Sequence, residues 1–279
     1  MTTTPVWFVT GASSGFGSSI ARRALADGAT VVATARRVDR LRELEASAPD
    51  RVIPLALDVT DAAQVQRVAA EAIERAGRVD VLVNNAGYGI VGAVEETSAA
   101  DLQAVMATNF FGAIALTNAL LPAMRAQRAG VIVNISSMGG QIAYPGFGPY
   151  CASKFALEGM SEALRGELAP LGIKVLIVEP GAFRTEFAGA ALKRMPALPD
   201  YADSVGGTRG FVESMDGTQA GDPDKAADAI VAALQAETPP LRLVLGDDAI
   251  DAVRGHAEAV LADIAAWERV GRATKFAAD

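Results

Sequence analysis

Tyr150 and Lys154 stand four residues apart in Tyr150-Cys151-Ala152-Ser153-Lys154, at the head of a run whose apolar residues Phe155, Leu157, Leu164 and Leu168 recur at helical spacing. Residues four apart share one face of a helix. A free phenol titrates near ~10 and exchanges its proton poorly at neutral pH. A nearby ammonium favours the phenolate and lowers that value. The pair therefore has the composition of a proton donor and acceptor aimed at a substrate oxygen. On its own, Y-x-x-x-K describes an ordinary helix face more often than a site.

A second group of residues suits a phosphate. Thr10-Gly11-Ala12-Ser13-Ser14-Gly15-Phe16-Gly17 joins an apolar run to a helical pattern. A pyrophosphate needs backbone N–H donors and a helix N-terminus without Cβ atoms in the way, and Gly11, Gly15 and Gly17 supply that freedom. The spacing is G-x-x-x-G-x-G, which differs from the G-x-G-x-x-G of the common dinucleotide fingerprint. A plain glycine turn is the alternative. Arg36-Arg37 follows the second apolar run, where NAD enzymes carry an acid for the ribose 2′-hydroxyl. A guanidinium fork suits a 2′-phosphate, so NADP is expected over NAD. Asp58-Val59 and Asn84-Asn85-Ala86-Gly87 follow the third and fourth runs. In a doubly wound sheet, ligands lie beyond the carboxyl ends of the strands. Turn chemistry and helix capping are the competing readings of these residues.

The elements that must position these residues are legible as periodicity. Apolar runs fall at Val6–Thr10, Thr30–Ala35, Val52–Leu57, Val79–Val83, Gly130–Ile135, Ile173–Val178 and Leu241–Leu245. Successive apolar residues mark strands buried on both faces of a parallel sheet. Helical patterns separate them. Gly77 sits where a helix should end, and Ser98 with Asp101 reads as a capping box. The alternation predicts an α/β fold: a single doubly wound domain over 1–279, with a parallel sheet of about seven strands and helices on both faces. The stretch from about 187 to 222 reads as an irregular, substrate-facing insertion. Residues from about 247 to 279 read as a helical extension.

With 279 residues, 51% hydrophobic and 21% charged, the chain is composed like a globular protein. A net charge of −8 and the lack of a basic run argue against a nucleic-acid partner. The single cysteine, Cys151, cannot pair within the chain and suits a reducing compartment. No signal-like start and no uninterrupted apolar span are read, so a cytoplasmic protein without a membrane segment is expected. No metal site is read. His256 is read as a surface residue.

Together the residues from Val6 to Glu186 resemble the short-chain dehydrogenase/reductase family. The match rests on TGASSGFG, Asp58-Val59, NNAG, Asn109 in NFFG, the serines of NISS, YCASK, and Pro180-Gly181 followed by Thr185. The resemblance implies a catalytic tetrad of Asn109, Ser137, Tyr150 and Lys154. The residues alone leave Ser136 and Ser137 open; the family pattern selects Ser137. It further implies that Pro180, Gly181 and Thr185 contact the nicotinamide end, with Phe183 beside it. Gly11, Ser13, Ser14, Gly15, Phe16, Gly17, Arg36, Arg37, Asp58, Val59, Asn85, Ala86 and Gly87 would line the rest of the cofactor. The implied activity interconverts a carbonyl and an alcohol on a small molecule, with homodimers or homotetramers as the expected assembly. Phe187, Leu192, Met195, Leu198, Tyr201, Phe211 and Met215, with Tyr144 and Phe147, suggest an apolar substrate wall. Two alternatives stand beside this: a 3-oxoacyl-thioester reductase using Lys193, Arg194 and Arg209 to receive a carrier, and a non-catalytic cofactor sensor.

Overall fold

A computed structural model describes residues 4–276. The chain runs β1 (Val6–Thr10), α1 (Gly15–Ala26), β2 (Thr30–Ala35), α2 (Arg42–Ser47), β3 (Val52–Ala56), α3 (Ala62–Ala76), β4 (Val81–Asn84) and β5 (Gly89–Val91). It continues α4 (Ala99–Met106), α5 (Gly112–Gln127), β6 (Gly130–Ile135), α6 (Gly148–Leu168), β7 (Ile173–Pro180), β8 (Leu192–Arg194), α7 (Ala202–Met215), α8 (Pro223–Gln235), β9 (Arg242–Leu245) and α9 (Asp247–Arg272). Seven strands form one sheet in the order β3-β2-β1-β4-β6-β7-β9. All its pairings are parallel.

The continuous apolar runs are explained by two cores. Along β1, Val6 and Phe8 enter one apolar layer, and Trp7 and Val9 enter the other. Ile20, Ala24, Ile230 and Val231, from α1 and α8, complete the Trp7 layer. Val65, Val68, Leu116, Leu120, Leu164 and Leu168, from α3, α5 and α6, complete the Phe8 layer. Because the chain order reverses on either side of β1 and β4, a crevice opens at their carboxyl ends. The caps read from sequence form as well. Ser98 Oγ accepts from Asp101 N at 3.1 Å and donates to Asp101 Oδ2 at 2.8 Å. Gly77 ends α3 at φ +77°. The cap of α3 is Asp61, whose carboxylate accepts from Gln64 N at 2.9 Å. Asp58 is therefore not the capping residue and keeps its side chain at the sheet edge.

Three expectations change. The fourth strand is Val81–Asn84, so it reaches the Asn84 that sequence reading assigned to the following turn. The stretch 187–222 is not irregular throughout: it contains β8, which pairs with β5, and the 14-residue helix α7. Gly206, Gly207 and Gly210 dilute the apolar period of α7 and hide it from a pattern search. Third, residues 99–127 form one helical run long and apolar enough to cross a membrane. Thr108, Asn109, Thr117 and Asn118 interrupt it in sequence. Its face carrying Leu116, Leu120 and Met124 is packed in the Phe8 layer, which makes it a layer of this fold.

Gly17 shows how tightly the first helix seats on the sheet. A Cβ there would collide with the Gly11 carbonyl oxygen and lie 2.5 Å from Asn85 Nδ2. Neither neighbour is a flexible side-chain end with room to retreat. Gly17 is thus required by packing before any ligand is considered. Gly17→Ala should lower the unfolding free energy by ~1–3 kcal/mol in the absence of nucleotide. Urea unfolding with an unchanged midpoint would show that the glycine serves only ligand approach.

Candidate active site

Thr10, at the end of β1, ties the glycine turn to the loop after β4. Its hydroxyl accepts from Asn85 N at 2.9 Å and Ala86 N at 3.0 Å, and donates to the Val83 carbonyl at 3.2 Å. Asn85 Nδ2 donates in return to the carbonyls of Thr10 (2.8 Å) and Gly11 (3.2 Å). Gly11 and Gly15 have φ of +63° and +51°, so the turn needs glycine there. Ser14, the residue before α1, makes no side-chain capping bond. The first N–H groups of α1 therefore face the crevice free to meet an anion. Phe16 stacks against Phe183 at 5.1 Å between ring centroids, which brings the loop after β7 to the glycine turn.

A cleft of about 1450 Å³ runs along this edge, from Arg36, Arg37 and Arg40 past Gly15 and Asn85 to Tyr150. Arg36 and Arg37 are exposed, as a site at the domain margin requires. Arg40 is a third cation on the same wall that sequence reading did not single out; it lies one turn further along the short helix beginning at Val38. Asp58 faces Arg36. Burial acts to raise its pKa, but hydrogen bonds from the Thr60 hydroxyl (2.7 Å) and amide (2.9 Å), with the Arg36 charge, outweigh it and hold the carboxyl ionised below its usual range. Open helix amides, glycines at the close approach and a cationic end fit the pyrophosphate and ribose of a nicotinamide dinucleotide.

The opposite end of the cleft holds the hydroxyls. Ser137 caps a short turn, accepting from Gly139 N at 3.0 Å, and its hydroxyl reaches Tyr150. Ser136 turns away toward the Glu158 carboxyl. The backbone thus separates two serines that composition alone left equivalent. Tyr150 is buried, with Phe187 at 5.3 Å and Phe147 at 6.2 Å from its ring. Burial pushes its pKa well above that of a free phenol, and the Ser137 hydrogen bond only partly opposes this. Lys154 lies on the same face, one turn on. Its Nζ donates to the Ile135 carbonyl at 2.8 Å and sits 5.8 Å from the Tyr150 ring centre. Burial pushes its pKa down to about 8, while Glu158 opposes the drop. Simple spacing predicted an ammonium acting directly on the phenol; here desolvation dominates both groups.

Asn109 is reached by an unexpected route. It lies in a widened π turn, Ala107–Phe111, between α4 and α5. Such turns carry one extra residue and concentrate at functional sites. Asn109 Nδ2 donates to the Tyr88 carbonyl (2.9 Å) and to Ser153 Oγ (3.0 Å), and Oδ1 accepts from Tyr88 N (3.0 Å). A Cβ on Gly87 would lie 3.1 Å from Asn109 Oδ1 and 3.7 Å from Lys154 Nζ, so a small gap joins the two side chains. Pro180, Gly181, Phe183 and Thr185 all line the same cleft. So do Thr60, Tyr88 and Gln219, which sequence reading missed because they belong to no short motif. Of the proposed apolar wall, Tyr144, Phe147, Phe187, Leu192, Phe211 and Met215 line the cleft. Met195 packs instead with Ile90 and Val105, Leu198 is exposed, and Tyr201 bonds Glu95.

These features define an oxidoreductase of the doubly wound, dinucleotide-binding class. The family model for short chain dehydrogenase matches residues 5–196, and the chain belongs to that family. It is 37% identical over 272 residues to Oxidoreductase BOA17 of Botryotinia fuckeliana, covering 97% of this chain and 99% of that one. It is 39% identical over 242 residues to a 3-ketodihydrosphingosine reductase of Bacteroides thetaiotaomicron, covering 85% and 86%. The crystal structure of a short-chain dehydrogenase from Streptomyces avermitilis superposes with a TM-score of 0.94 at 52% identity, over 98% of this chain and 100% of that one. More distant members were solved with either nicotinamide. A metagenomic oxidoreductase is in complex with NADP (TM-score 0.69, 31% identity, 86% and 96% covered). A short chain dehydrogenase/reductase from Burkholderia phymatum is in complex with NAD (TM-score 0.82, 26% identity, 93% and 95% covered).

Behind the hydroxyls lies a buried acid pair. Glu158 and Glu179 face each other and share Arg242, whose Nε is 3.1 Å from Glu158 Oε2 and 3.0 Å from Glu179 Oε1. Gln141 Nε2 donates to both carboxyls, at 3.3 and 3.1 Å. Burial and then the Glu158 charge push Glu179 up to about 7, against Arg242. A carboxyl whose pKa rises on folding binds more protons folded than unfolded. Its stabilisation is complete below the unfolded value, near 4.5, and is lost as pH climbs through about 7. Denaturant midpoints should therefore fall between pH 5 and pH 8, and Glu179→Gln should flatten that fall. An equally steep fall in the variant would remove Glu179 from the account.

Proposed function

We propose that this protein is an NADP-preferring oxidoreductase that interconverts a carbonyl and an alcohol on a hydrophobic small molecule. The observation that carries the reading is the Ser137–Tyr150 hydroxyl pair, with the phenol buried and Lys154 one helical turn on, at the end of a cleft whose far wall bears Arg36, Arg37 and Arg40. A bound nicotinamide supplies the hydride in reduction and accepts it in oxidation. Tyr150 gives its phenolic proton to the substrate oxygen as the carbonyl is reduced. A phenol with a raised pKa is fully protonated at neutral pH, and it is still a stronger acid than the aliphatic alcohol formed when the alkoxide takes its proton. The Ser137 hydroxyl donates to the same oxygen and stabilises its developing charge. Lys154, held by the Ile135 carbonyl, is set to hold a ribose hydroxyl and to return a proton to Tyr150 Oη. Asn109, across the gap beside Gly87, orders the path by which that proton is replenished from solvent.

The aromatic and aliphatic wall from Tyr144, Phe147, Phe187 and Phe211 favours an apolar ketone, aldehyde or alcohol. The relative that reduces 3-ketodihydrosphingosine fits that class. The carrier-receiving alternative loses its support: Lys193 pairs with Asp101, Arg209 with Glu96 at 2.6 Å, and Arg194 Nη2 donates to the Ala188 carbonyl at 3.1 Å. A cytoplasmic location and a homo-oligomeric state are further parts of the proposal, as the family resemblance and the single reduced cysteine suggest.

Tyr150→Phe should lower turnover by ~10²-fold or more while leaving NADPH affinity nearly unchanged. A variant keeping more than about a tenth of wild-type turnover would take the proton-transfer role from Tyr150. Arg36→Asp should reverse the cofactor preference. A charge-assisted fork on the 2′-phosphate is worth ~1.5–3 kcal/mol, roughly ten- to hundredfold in affinity. Separate titrations of NADPH and NADH into both proteins check this. Equal wild-type affinities, or a variant that still prefers NADPH, would contradict the assignment.

A further inference from the structure

The final helix is the part of the molecule that the active site does not explain. α9 spans Asp247–Arg272, so it is about 39 Å long. Ala249 is its buried residue, and every described residue from Arg254 onward is exposed. Its tie to the body is at the first turn, where Asp248 Oδ2 accepts from Ala182 N at 2.7 Å. Beyond that the helix stands in solvent with Leu261, Ile264, Trp267 and Val270 each more than half exposed. A helix in water draws most of its stability from packing an apolar face, so this face lacks its partner.

The spacing says what kind of partner. Ile250, Val253, Ala257, Val260, Ile264, Trp267 and Gly271 alternate in steps of three and four through about three heptads. That is a seam for another helix. We propose that α9 pairs antiparallel with α9 of a second copy of this chain, about a two-fold axis near Ala262. In the register that sets Val260 of one copy on Ile264 of the other, Trp267 lies over Ala257 and Gly271 over Val253. Trp267 thus meets the small Ala257 and Val253 meets Gly271, while Val260 and Ile264 fill the middle of the seam. Arg254 falls beside Glu268 of the opposite helix, twice by symmetry, and Leu261 meets its own mate. Asp263 also meets its mate on the other flank; that like-charge contact is the unfavourable element. A parallel pairing would stack Trp267 on Trp267 and leave Ala257 and Gly271 facing themselves across voids. It would also bring both bodies to the same end of the helices and align their dipoles, whereas the antiparallel pair sends the bodies to opposite ends. The contact is isologous, so it closes at two copies.

The test uses the full chain. Sedimentation velocity should give wild type an assembly mass at least twice that of Ile264→Glu/Trp267→Glu. Both residues are exposed within one chain, so the variant should still fold with a cooperative thermal transition, at a midpoint no higher than that of wild type. Orientation is read by disulfide trapping, since Cys151 is the only native cysteine and is buried. Ala257→Cys and Trp267→Cys chains, oxidised separately, should not cross-link; mixed, they should yield a covalent pair. An unchanged mass in the double variant overturns the interface. Cross-linking of either single variant with itself, or none in the mixture, overturns the antiparallel register.

Discussion

Two side chains hold the crevice open in one shape. Thr10 and Asn85 exchange hydrogen bonds across the break between β1 and β4, so that two loops from opposite halves of the sheet are tied together. In an unbroken parallel sheet, crossover helices would cover that edge. Where the winding reverses they diverge, and the exposed backbone must be satisfied by side chains instead. Gly11 and Gly17 follow from this closure, because the helix after β1 must start within contact distance of Asn85, while Gly15 is set by its positive φ and by Thr185 of the loop after β7. The free amides at the start of α1 follow in turn. The cationic wall at Arg36 and the hydroxyl pair at Tyr150 are held at the two ends of a frame that this link fixes in the middle.

A second polar frame supports the chemical end. Asn84 Nδ2 donates to Thr117 Oγ1 at 3.0 Å and to Asn134 Oδ1 at 2.8 Å, and Asn134 Nδ2 donates to Ser161 Oγ at 2.8 Å. Four buried polar side chains thus join β4, β6, α5 and α6 beneath the site. Buried polar networks of this kind specify one arrangement, because any slip leaves a group unpaired in a low-dielectric interior. α6 carries Tyr150 and Lys154 above this anchor and Glu158 beside it. The position of the phenol is therefore set by hydrogen bonds one to three turns away.

Much of this was legible in sequence because it obeys local rules. The sheet was readable from Val- and Ile-rich runs whose successive residues fill two cores. Gly77 and Ser98 were readable because caps are one- and four-residue motifs. What escaped depends on tertiary placement. The π turn that aims Asn109 inward has no periodic signature; only the motif match pointed to that residue. Ser136 and Ser137 differ solely in which side of the strand end they face. Arg40, Thr60 and Gln219 reach the cleft from separate elements. The burial that reverses the expected pKa of Tyr150 is a property of packing, and no spacing rule contains it. α7 was hidden by its three glycines.

One chemical event is central to the proposed function: a hydride moves between a nicotinamide and a carbonyl carbon beside Tyr150. The direct measurement is label transfer. NADPH deuterated at the transferable position of C4 is incubated with the protein and a hydrophobic ketone that it turns over, and the alcohol is analysed by mass spectrometry. One deuterium on the carbinol carbon of each product molecule, in unlabelled water, is the expected result. Product carrying hydrogen at that carbon, or no alcohol formed from any hydrophobic ketone or aldehyde with either nicotinamide, would contradict it.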